Sequence, residues 1–390
     1  MTEPTNDLPR GATRAPGAYV HVPFCAHRCS YCSFVALEGK REEGDFFEGV
    51  SREVRSRRGE AGARRLDFDT LYFGGGTPSY VDAHRLSRLV SLFEEVFGLS
   101  SDVEITAEAN PDDLDAAKID ALRAAGVNRL SIGVQSLVDS ELIPLERRHD
   151  AAAARRAVAE TARVFGNVSA DLMIGIPGQT RETLRGSLDG LLEAGVSHLS
   201  VYLLEIDRAP RLVAVKKEQP ALFAGDDEMA DRWLEVDERL EEAGLSRYEL
   251  SNWARPGFES RHNLKYWTLT PVLGFGVGAH SFDGTKRYAN TGMLTEYLKR
   301  TGAGISPVAT FEETEDSDFL RRKEGLLLGL RLPRGVPSSP FEEICRTLPV
   351  ASASRMEDAF SAGLLEKHSG RVRLTRRGVL VSNEVFSLLV

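Results

Sequence analysis

The chain has few cysteines, no long apolar run and no excess of positive charge. Only four of its 390 residues are cysteines, which excludes the dense disulfide framework of small secreted domains. No stretch approaches the roughly 18 consecutive apolar residues of a membrane span, so we expect no integral membrane segment. The formal net charge is −9, and nucleic-acid partners favour basic surfaces. We therefore expect no nucleic-acid partner.

The first 17 residues are polar, contain several prolines and glycines, and lack the apolar segment of a secretion signal. We expect residues 1–17 to form a disordered tail. The absence of a signal, together with unpaired thiols that need a reducing compartment, predicts a cytoplasmic protein.

Three of the four cysteines lie in one short segment, as Cys25, Cys29 and Cys32 with the spacing C-x3-C-x2-C. Cubane iron–sulfur clusters are normally held by four cysteines, so three would leave one iron open to a substrate or cofactor. This spacing predicts an iron–sulfur cluster with a chemical role. A zinc site completed by His21 or His27 is the alternative, because zinc also accepts three cysteines and one histidine.

Short β-type runs alternate with amphipathic helical stretches over the first two-thirds of the chain, which predicts a parallel α/β architecture. Parallel strands of this apolar character are usually covered on both faces, and we expect the same here. The six predicted strands are Ala18–Pro23, Thr70–Gly75, Val103–Ala107, Arg129–Val134, Ser169–Gly175 and His198–Leu204.

Polar or glycine-rich features follow five consecutive strands. The three cysteines follow the first strand, and the run Gly74–Ser79 follows the second. Glu108, Gln135 and the segment Gly175–Thr180 come at the ends of the next three. In β/α barrels the functional residues gather at the carboxyl ends of the strands. The sequence therefore predicts a site at this edge, which we call the rim.

The remaining third of the chain has a different pattern. A polar loop containing His262–Trp267 precedes a predicted glycine-rich strand, Gly274–Phe282. Either His262 or His280 could be an ordinary hydrogen-bonded structural residue.

Residues 311–390 are predicted to form helices and one wing strand, Arg371–Leu374, in the manner of a winged helix. With twelve acidic and twelve basic residues, this segment lacks the basic face of a DNA-binding module.

The cysteine spacing, with Tyr31 just before the third cysteine, resembles the signature loop of the radical S-adenosylmethionine (SAM) superfamily. Within it, the chain resembles the oxygen-independent coproporphyrinogen III oxidase-like group, through the runs His21–Cys25, Tyr72–Ser79, Leu130–Ser136, Asp171–Thr180 and Ala279–Ser281. The resemblance implies an α/β fold: a partial (β/α)6 barrel with its extension over residues 18–310, followed by a small winged-helix-like α+β domain of the HemN type over residues 311–390.

The same resemblance implies a [4Fe–4S] cluster on Cys25, Cys29 and Cys32, with SAM bound to the open iron. Reductive cleavage would give methionine and a 5′-deoxyadenosyl radical, with an electron donor such as a flavodoxin or ferredoxin; the cofactor carries the difficult step. The residues implied to contact or line the SAM site are Tyr19, Tyr31, Gly75, Gly76, Thr77, Glu108, Gln135, Arg147, Asp171, Glu205 and His280.

One position separates two branches of this group. Its coproporphyrinogen oxidases carry a fourth cysteine two residues after the third, whereas this chain has Phe34 there. With the short amino-terminal region and the run His262-Asn263-x-x-Tyr266-Trp267, the chain resembles the HemW-type haem chaperones instead. That resemblance implies haem as cargo, an apo-haemoprotein as recipient, His262 as candidate iron ligand, and Asn263, Tyr266 and Trp267 beside the porphyrin.

Two alternatives stay open. One is an oxygen-independent coproporphyrinogen III oxidase, which decarboxylates propionates by radical chemistry. The other is a radical SAM enzyme with a non-porphyrin substrate, in which the segment His262–Trp267 is structural. Ser33 and the stretch Glu205–Pro210 depart from the usual pattern of the family that the chain resembles. These departures affect the part of the site that would face the substrate.

Overall fold

The computed structural model describes residues 8–61, 66–207, 209–312 and 318–389. Twelve strands in these ranges form one sheet, in the order β14-β13-β12-β11-β1-β4-β5-β6-β7-β8-β10-β9. The strands are β1 (Gly17–Val22), β2 (Phe24–Cys25), β3 (Leu37–Glu38), β4 (Phe68–Gly75), β5 (Leu99–Ala109), β6 (Arg129–Gln135), β7 (Val168–Ile174), β8 (His198–Leu203), β9 (Ser246–Arg247), β10 (Asn252–Ala254), β11 (Val272–Phe275), β12 (His280–Phe282), β13 (Arg287–Asn290), β14 (Val308–Glu312), β15 (Val336–Pro337), β16 (Leu365–His368) and β17 (Arg371–Leu374).

Helices connect the strands and cover the outside of the sheet. They are α1 (Glu43–Ser56), α2 (Ala83–Val96), α3 (Ala116–Ala124), α4 (Asp139–Leu142), α5 (Ala151–Phe165), α6 (Arg181–Glu193), α7 (Pro210–Glu218), α8 (Asp226–Glu242), α9 (Arg261–Trp267), α10 (Leu294–Gly302), α11 (Asp318–Gly329), α12 (Ser338–Cys345), α13 (Val350–Ser361), α14 (Arg376–Leu380) and α15 (Ser382–Ser387).

The six predicted parallel strands are confirmed as β1, β4, β5, β6, β7 and β8, which lie side by side in chain order. Apolar side chains on their outer face, such as Val20, Leu71 and Phe73, are fully buried. They belong to the same core as Phe46 of α1 and Phe93 of α2. Burial of aromatic and branched side chains at about 25 cal/mol per Å² drives this helix-on-sheet packing.

The inner face of these strands is polar, but Thr70, Thr106 and Arg129 on it are buried, so the strands are covered on both faces as expected. Thr70, Tyr72, Thr106, Arg129 and Asp171 alternate with the apolar residues, and the strand register sets them side by side. Since side chains in a strand point alternately to opposite faces, each strand gives its apolar half to the helices. Its polar half faces the lumen of the partial barrel.

The chain after β8 extends this sheet at both edges. Strand β10 joins antiparallel to β8, and β11 returns to pair parallel with β1. The predicted strand Gly274–Phe282 is wrong in detail, because it is a hairpin: β11 and β12 are antiparallel neighbours. Gly276 and Gly278, both with positive φ, form the turn between them. This turn lies at the rim, since β11 runs parallel to β1.

The amino-terminal prediction also needs correction. Residues 1–7 lie outside the described residues, but residues 8–16 pack against the amino-terminal end of the sheet. Lys265 donates to the Thr13 hydroxyl at 3.1 Å and to the Ala15 carbonyl at 2.7 Å, and the Thr270 hydroxyl donates to the Thr13 carbonyl. Composition alone predicted a disordered tail because these partners lie about 250 residues away.

The carboxyl-terminal part has the predicted helices and wing. Strands β16 and β17 form a hairpin that β15 joins, beside helices α11–α15. The boundary falls slightly later than predicted, because β14 pairs with β13 of the main sheet as far as Glu312. Arg376 binds Asp237 of α8 at 2.9 Å. Within the described ranges, no helix is long and apolar enough to cross a membrane.

Candidate functional site at the rim

The cysteine loop lies over the rim, directly after β1. Cys25 is buried, whereas Cys29 and Cys32 are half-buried, and all three are free thiols. The Thr77 hydroxyl donates to Cys25 Sγ at 3.4 Å, and Arg147 donates to Cys29 Sγ at 3.2 Å. Burial raises the pKa of Cys25 to about 11. Charged and neutral donors therefore face sulfur atoms that a metal centre would hold as thiolates.

No three histidine, cysteine, aspartate or glutamate side chains of the described chain converge closely enough to hold one metal ion. A cubane cluster places its thiolates on separate irons, so it requires no such convergence. The arrangement of Cys25, Cys29 and Cys32 is compatible with the predicted cluster.

Two glycines after β4 bring bare backbone into the site. Gly75 has φ 108°, and a Cβ atom there would lie 2.5 Å from the His21 ring. A Cβ atom on Gly76 would lie 2.7 Å from the Pro23 carbonyl carbon. Only glycine fits both positions. The missing side chains let the end of β4 pack closely against β1 and the start of the cysteine loop, and both glycines line the cavity described below.

Two half-buried carboxylates, Glu108 and Asp171, lie below this turn. Glu108 accepts hydrogen bonds from the Tyr72 hydroxyl at 2.9 Å and from the Gly75 N–H at 3.0 Å. Burial raises the pKa of Glu108 to about 7 and that of Asp171 to about 6. A positively charged or hydrogen-bonding ligand would stabilise the ionised form of both carboxyl groups, because it would compensate for the water that they have lost.

Arg147 ties the far side of the rim to the cysteine loop. It donates to Asn110 Oδ1 at 2.7 Å as well as to Cys29. Burial alone would lower its pKa, but the Tyr31 hydroxyl and the Cys29 thiol raise it. Among the described residues, Arg147 Nε and Gln135 Oε1 are buried without a hydrogen-bond partner. Such orphaned atoms in a native structure are expected where a ligand completes the site.

These groups line one cavity of about 520 Å³ at the rim, a volume in the usual range for small-molecule sites. Twelve of the predicted site residues line it: Cys25, Cys29, Tyr31, Cys32, Gly75, Gly76, Thr77, Glu108, Gln135, Arg147, Asp171 and Glu205.

Two predicted residues lie outside the cavity lining. Tyr19 lies deeper in the lumen, where its hydroxyl is 3.2 Å from His21 Nδ1. His280 begins β12 and is exposed. The cavity also contains residues that the sequence reading missed, among them Asn110, Ser131 and Tyr202. The period-2 alternation of polar residues along the strands is the signal that could have identified the last two.

The four residues predicted to contact haem lie elsewhere. The segment His262–Trp267 is the helix α9, not a loop, and it closes the opposite, amino-terminal end of the barrel beside Thr70 of β4. We call α9 and this end of β4 the floor. Trp267 packs under the Arg331 guanidinium, 4.7 Å from its ring centroid. Asn263 donates its backbone N–H to the helix cap, Ser260.

Both ring nitrogens of His262 are engaged at the floor. Nδ1 is 2.8 Å from the Thr70 hydroxyl and Nε2 is 3.1 Å from the Tyr266 hydroxyl. The ring stacks on Tyr72 with centroids 5.0 Å apart, and burial lowers the pKa of His262 to about 3. Coordination of iron by His262 would require one of these hydrogen bonds to break, so its role as an iron ligand stays a prediction.

Comparison with known proteins agrees with this geometry. Residues 19–191 match the family profile described as Radical SAM superfamily, and residues 321–381 match the HemN C-terminal domain. The protein named Heme chaperone HemW from Mycobacterium tuberculosis is 36% identical over 381 residues, covering 96% of this chain and 94% of that protein. The Bacillus subtilis protein of the same name is 34% identical, covering 95% of this chain and 97% of that protein.

Two further similarities come from more distant proteins. The mitochondrial Radical S-adenosyl methionine domain-containing protein 1 of Bos taurus is 36% identical, over 87% of this chain and 74% of that protein. The solved structure of Escherichia coli coproporphyrinogen III oxidase HemN superposes with a TM-score of 0.81, at 23% identity, covering 96% of this chain and 90% of the other. That similarity shows the fold.

Proposed function

Because this chain belongs to the radical SAM superfamily and, within it, to the family of the proteins named heme chaperone HemW, we propose that it binds haem and delivers it to an apo-haemoprotein. Membership of the superfamily implies a [4Fe–4S] cluster and SAM. The observation that carries the proposal is the cysteine loop. It provides three thiols over an open cavity, and the exposed Phe34 stands where the related oxidases place a fourth cysteine.

In this proposal, Cys25, Cys29 and Cys32 hold the cluster. Thr77 and Arg147 donate to two of the three sulfur atoms, and such bonds favour the thiolate over the thiol. When bound, the cluster and SAM supply the one-electron reduction of a sulfonium, a reaction that the side chains cannot perform alone. The side chains of the protein position the cluster and SAM and set the electrostatic field around them.

The residues around the cavity would hold SAM by complementary chemistry. The backbone at Gly75 and Gly76 fits a close contact with the amino-acid part of a ligand. Gln135 Oε1, which lacks a partner in the described structure, can accept a hydrogen bond. Glu108 and Asp171 can accept from ribose hydroxyls or stabilise a positive charge. Their raised pKa values indicate that a cationic ligand would promote their ionisation.

The proposal includes two partners. The recipient is an apo-haemoprotein, and the electron donor is a small electron-transfer protein such as a flavodoxin or ferredoxin. Arg28 lines the opening of the cavity, is exposed, and donates to the Cys32 carbonyl at 3.2 Å. A donor that docks over the cysteine loop would meet this positive charge, which suits an acidic protein.

One experiment tests the function directly. The chain is reconstituted anaerobically with iron and sulfide and given SAM. One portion of this sample is titrated with hemin, and another is incubated with coproporphyrinogen III in the presence of dithionite, which supplies the electron for SAM cleavage. We expect hemin binding, transfer of the bound hemin to an apo-haemoprotein, and no porphyrinogen turnover. Formation of protoporphyrinogen IX would overturn the proposal in favour of a coproporphyrinogen oxidase, whose fold the chain shares.

A further inference from the structure

The eight histidines of the chain differ sharply in whether their ring nitrogens are available. All eight lie within the described ranges. Imidazole is the commonest protein ligand of haem iron, and a ligating nitrogen needs a free lone pair. Five rings have at least one nitrogen within contact distance of another protein group: His21, His27, His149, His198 and His262.

Three histidines show no ring contact in the described structure, namely His84, His280 and His368, and all three are exposed. His84 lies in the first turn of α2, on the outside of the sheet. His368 ends β16 in the carboxyl-terminal domain. His280 alone among them lies at the rim, where it begins β12 directly after the turn that follows β11.

The register of the sheet places His280 on the same side as the lumen. Gly274 of β11 pairs with Tyr19 of β1, and Tyr19 points into the lumen. Strand β12 runs antiparallel to β11 with Phe282 opposite Val272, and continuing this register sets His280 opposite Gly274. His280 therefore lies on the lumen side of the sheet at the level of Tyr19, and the turn before it contacts Val35 at the end of the cysteine loop.

An exposed apolar surface lies beside the turn that precedes this histidine. Phe34 is 64% exposed and Met293 is 66% exposed, with Val35 at 36%. A Cβ atom on Gly278, two residues before His280, would lie 3.2 Å from Val35 Cγ2 and 3.8 Å from the Cα of Gly292. The end of the cysteine loop, the β11–β12 turn and the segment before α10 therefore meet in one surface.

Exposed apolar surface of this kind marks an interaction site, and its composition points to a flat, largely apolar ligand. Because residues 278 and 292 are glycines, no side chain projects between the larger side chains, and the surface stays flat there. A metalloporphyrin suits it in two respects: its macrocycle can cover apolar side chains, and its iron accepts an imidazole nitrogen.

We propose that His280 supplies an axial ligand to the haem iron, with the macrocycle lying on the surface formed by Phe34, Val35 and Met293. The inference rests on the proposed haem function and assigns its ligand to the rim instead of the floor. A haem held there stays accessible from outside, as transfer to another protein requires. His262, by contrast, is buried under Tyr72 and bonded at both nitrogens.

The test uses the full-length, reconstituted protein and two probes, hemin and metal-free protoporphyrin IX. For His280→Ala we expect hemin affinity to fall by about tenfold or more, which corresponds to roughly 1.4 kcal/mol. The low-spin ferric EPR signal should be lost or shifted, and added imidazole should restore it. Affinity for the metal-free porphyrin should stay the same, because that probe has no iron to ligate.

His84→Ala and His368→Ala are the matched controls, since both remove an exposed, uncontacted ring, and neither should alter the hemin spectrum. His262→Ala is measured beside them, with circular dichroism and cluster content as checks on folding. A hemin spectrum and affinity unchanged in His280→Ala would overturn the assignment, whichever other variant changes them. An equal loss of affinity for both probes, or a loss confined to SAM binding, would do the same.

The two proposals fail in distinguishable ways. If the unmodified protein binds no hemin, the haem function itself is wrong and the assignment of His280 falls with it. If the unmodified protein binds and transfers hemin while His280→Ala behaves identically, only the assignment is wrong.

Discussion

The rim and the floor of this barrel both contain charged and aromatic side chains, but they use them differently. At the floor the charges are paired with each other: Lys265 Nζ lies 2.6 Å from Asp69 Oδ1, and Arg261 reaches the same carboxylate at 3.0 Å. Among the described residues, buried polar atoms without a hydrogen-bond partner occur at both ends: Gln135 Oε1 and Arg147 Nε at the rim, and Arg261 Nε at the floor. The rim differs because its two residues line a cavity, where a ligand has room to meet them, whereas the floor consists mainly of charges paired with each other.

The largest expected effect is loss of the cluster with little change in the stability of the fold. This result would distinguish the role of the rim from that of the floor. Cys32→Ala should remove the iron and the visible absorbance of the reconstituted protein. The free energy of unfolding of the apo-protein should change by less than about 1 kcal/mol, because this thiol is only half-buried. Cys345→Ala, far away on α12, is the control and should leave the iron content unchanged. Retention of a full cluster in Cys32→Ala would contradict three-cysteine ligation.

The next effect tests the floor. Lys265→Met should lower the free energy of unfolding by about 3–5 kcal/mol, because it leaves Asp69 as a buried charge with less compensation. Chemical denaturation measures this loss, and the folded variant should still bind SAM. Arg181→Met is the matched control: its pair with Asp231 is exposed, and such pairs contribute at most about 1 kcal/mol. Equal effects of the two variants would show that the floor has no special stabilising role.

The glycine turn tests the rim without touching a cysteine. Gly75→Ala should weaken SAM binding by about tenfold or more, because the new methyl group would press on His21 and force the backbone out of its left-handed conformation. Gly186→Ala is the control, since a Cβ atom there meets open space on α6. It should leave SAM affinity unchanged and stabilise the helix by about 0.5–1 kcal/mol. Equilibrium dialysis of SAM decides between these outcomes.

The smallest effect is a pH dependence of the ligand-free protein. The pKa of Glu108 is about 7 in the folded chain, against 4.5 for an ordinary glutamate. The folded state therefore retains a proton that the unfolded state releases, so this group's contribution to stability is lost as the pH rises from 4.5 to 7. Glu108→Gln, which imitates the protonated acid, should match the unmodified protein at pH 5 and exceed it in melting temperature at pH 8.

The exposed Glu357→Gln on α13 is the control for that measurement, and it should leave the difference between pH 5 and pH 8 unchanged. A parallel pH profile for the unmodified protein and Glu108→Gln would show that Glu108 does not carry a proton near neutral pH.

Local patterns predicted much of the fold and of the rim. The six parallel strands and the cysteine loop follow from short-range periodicity and spacing, which the folded chain preserves. The rim residues could be grouped because parallel strands place their carboxyl ends together. That rule and the family resemblance together were enough to predict that Glu108 and Asp171 lie at the rim.

Contacts between distant parts of the chain could not be predicted from the sequence. The segment around His262 has histidine, asparagine and two aromatics, and such residues are equally suited to a ligand site or to a polar core. Only the tertiary structure shows that Thr70 and Tyr266 engage both nitrogens of His262. The polar lumen was missed for a related reason: the apolar residues of each strand were noticed, and the alternation between its two faces was not.

The packing of residues 8–16 on the floor has a consequence for how the chain folds as it is made. Thr13 leaves the ribosome well before its partner Lys265, which follows 252 positions later. Contacts so distant in sequence close slowly and late. The strand that bears the cysteine loop must therefore wait, with its leading segment undocked, until α9 has been synthesised. Residues 8–16 thus find their place only after α9 has been made, and the floor closes only around a sheet whose six parallel strands have already been made.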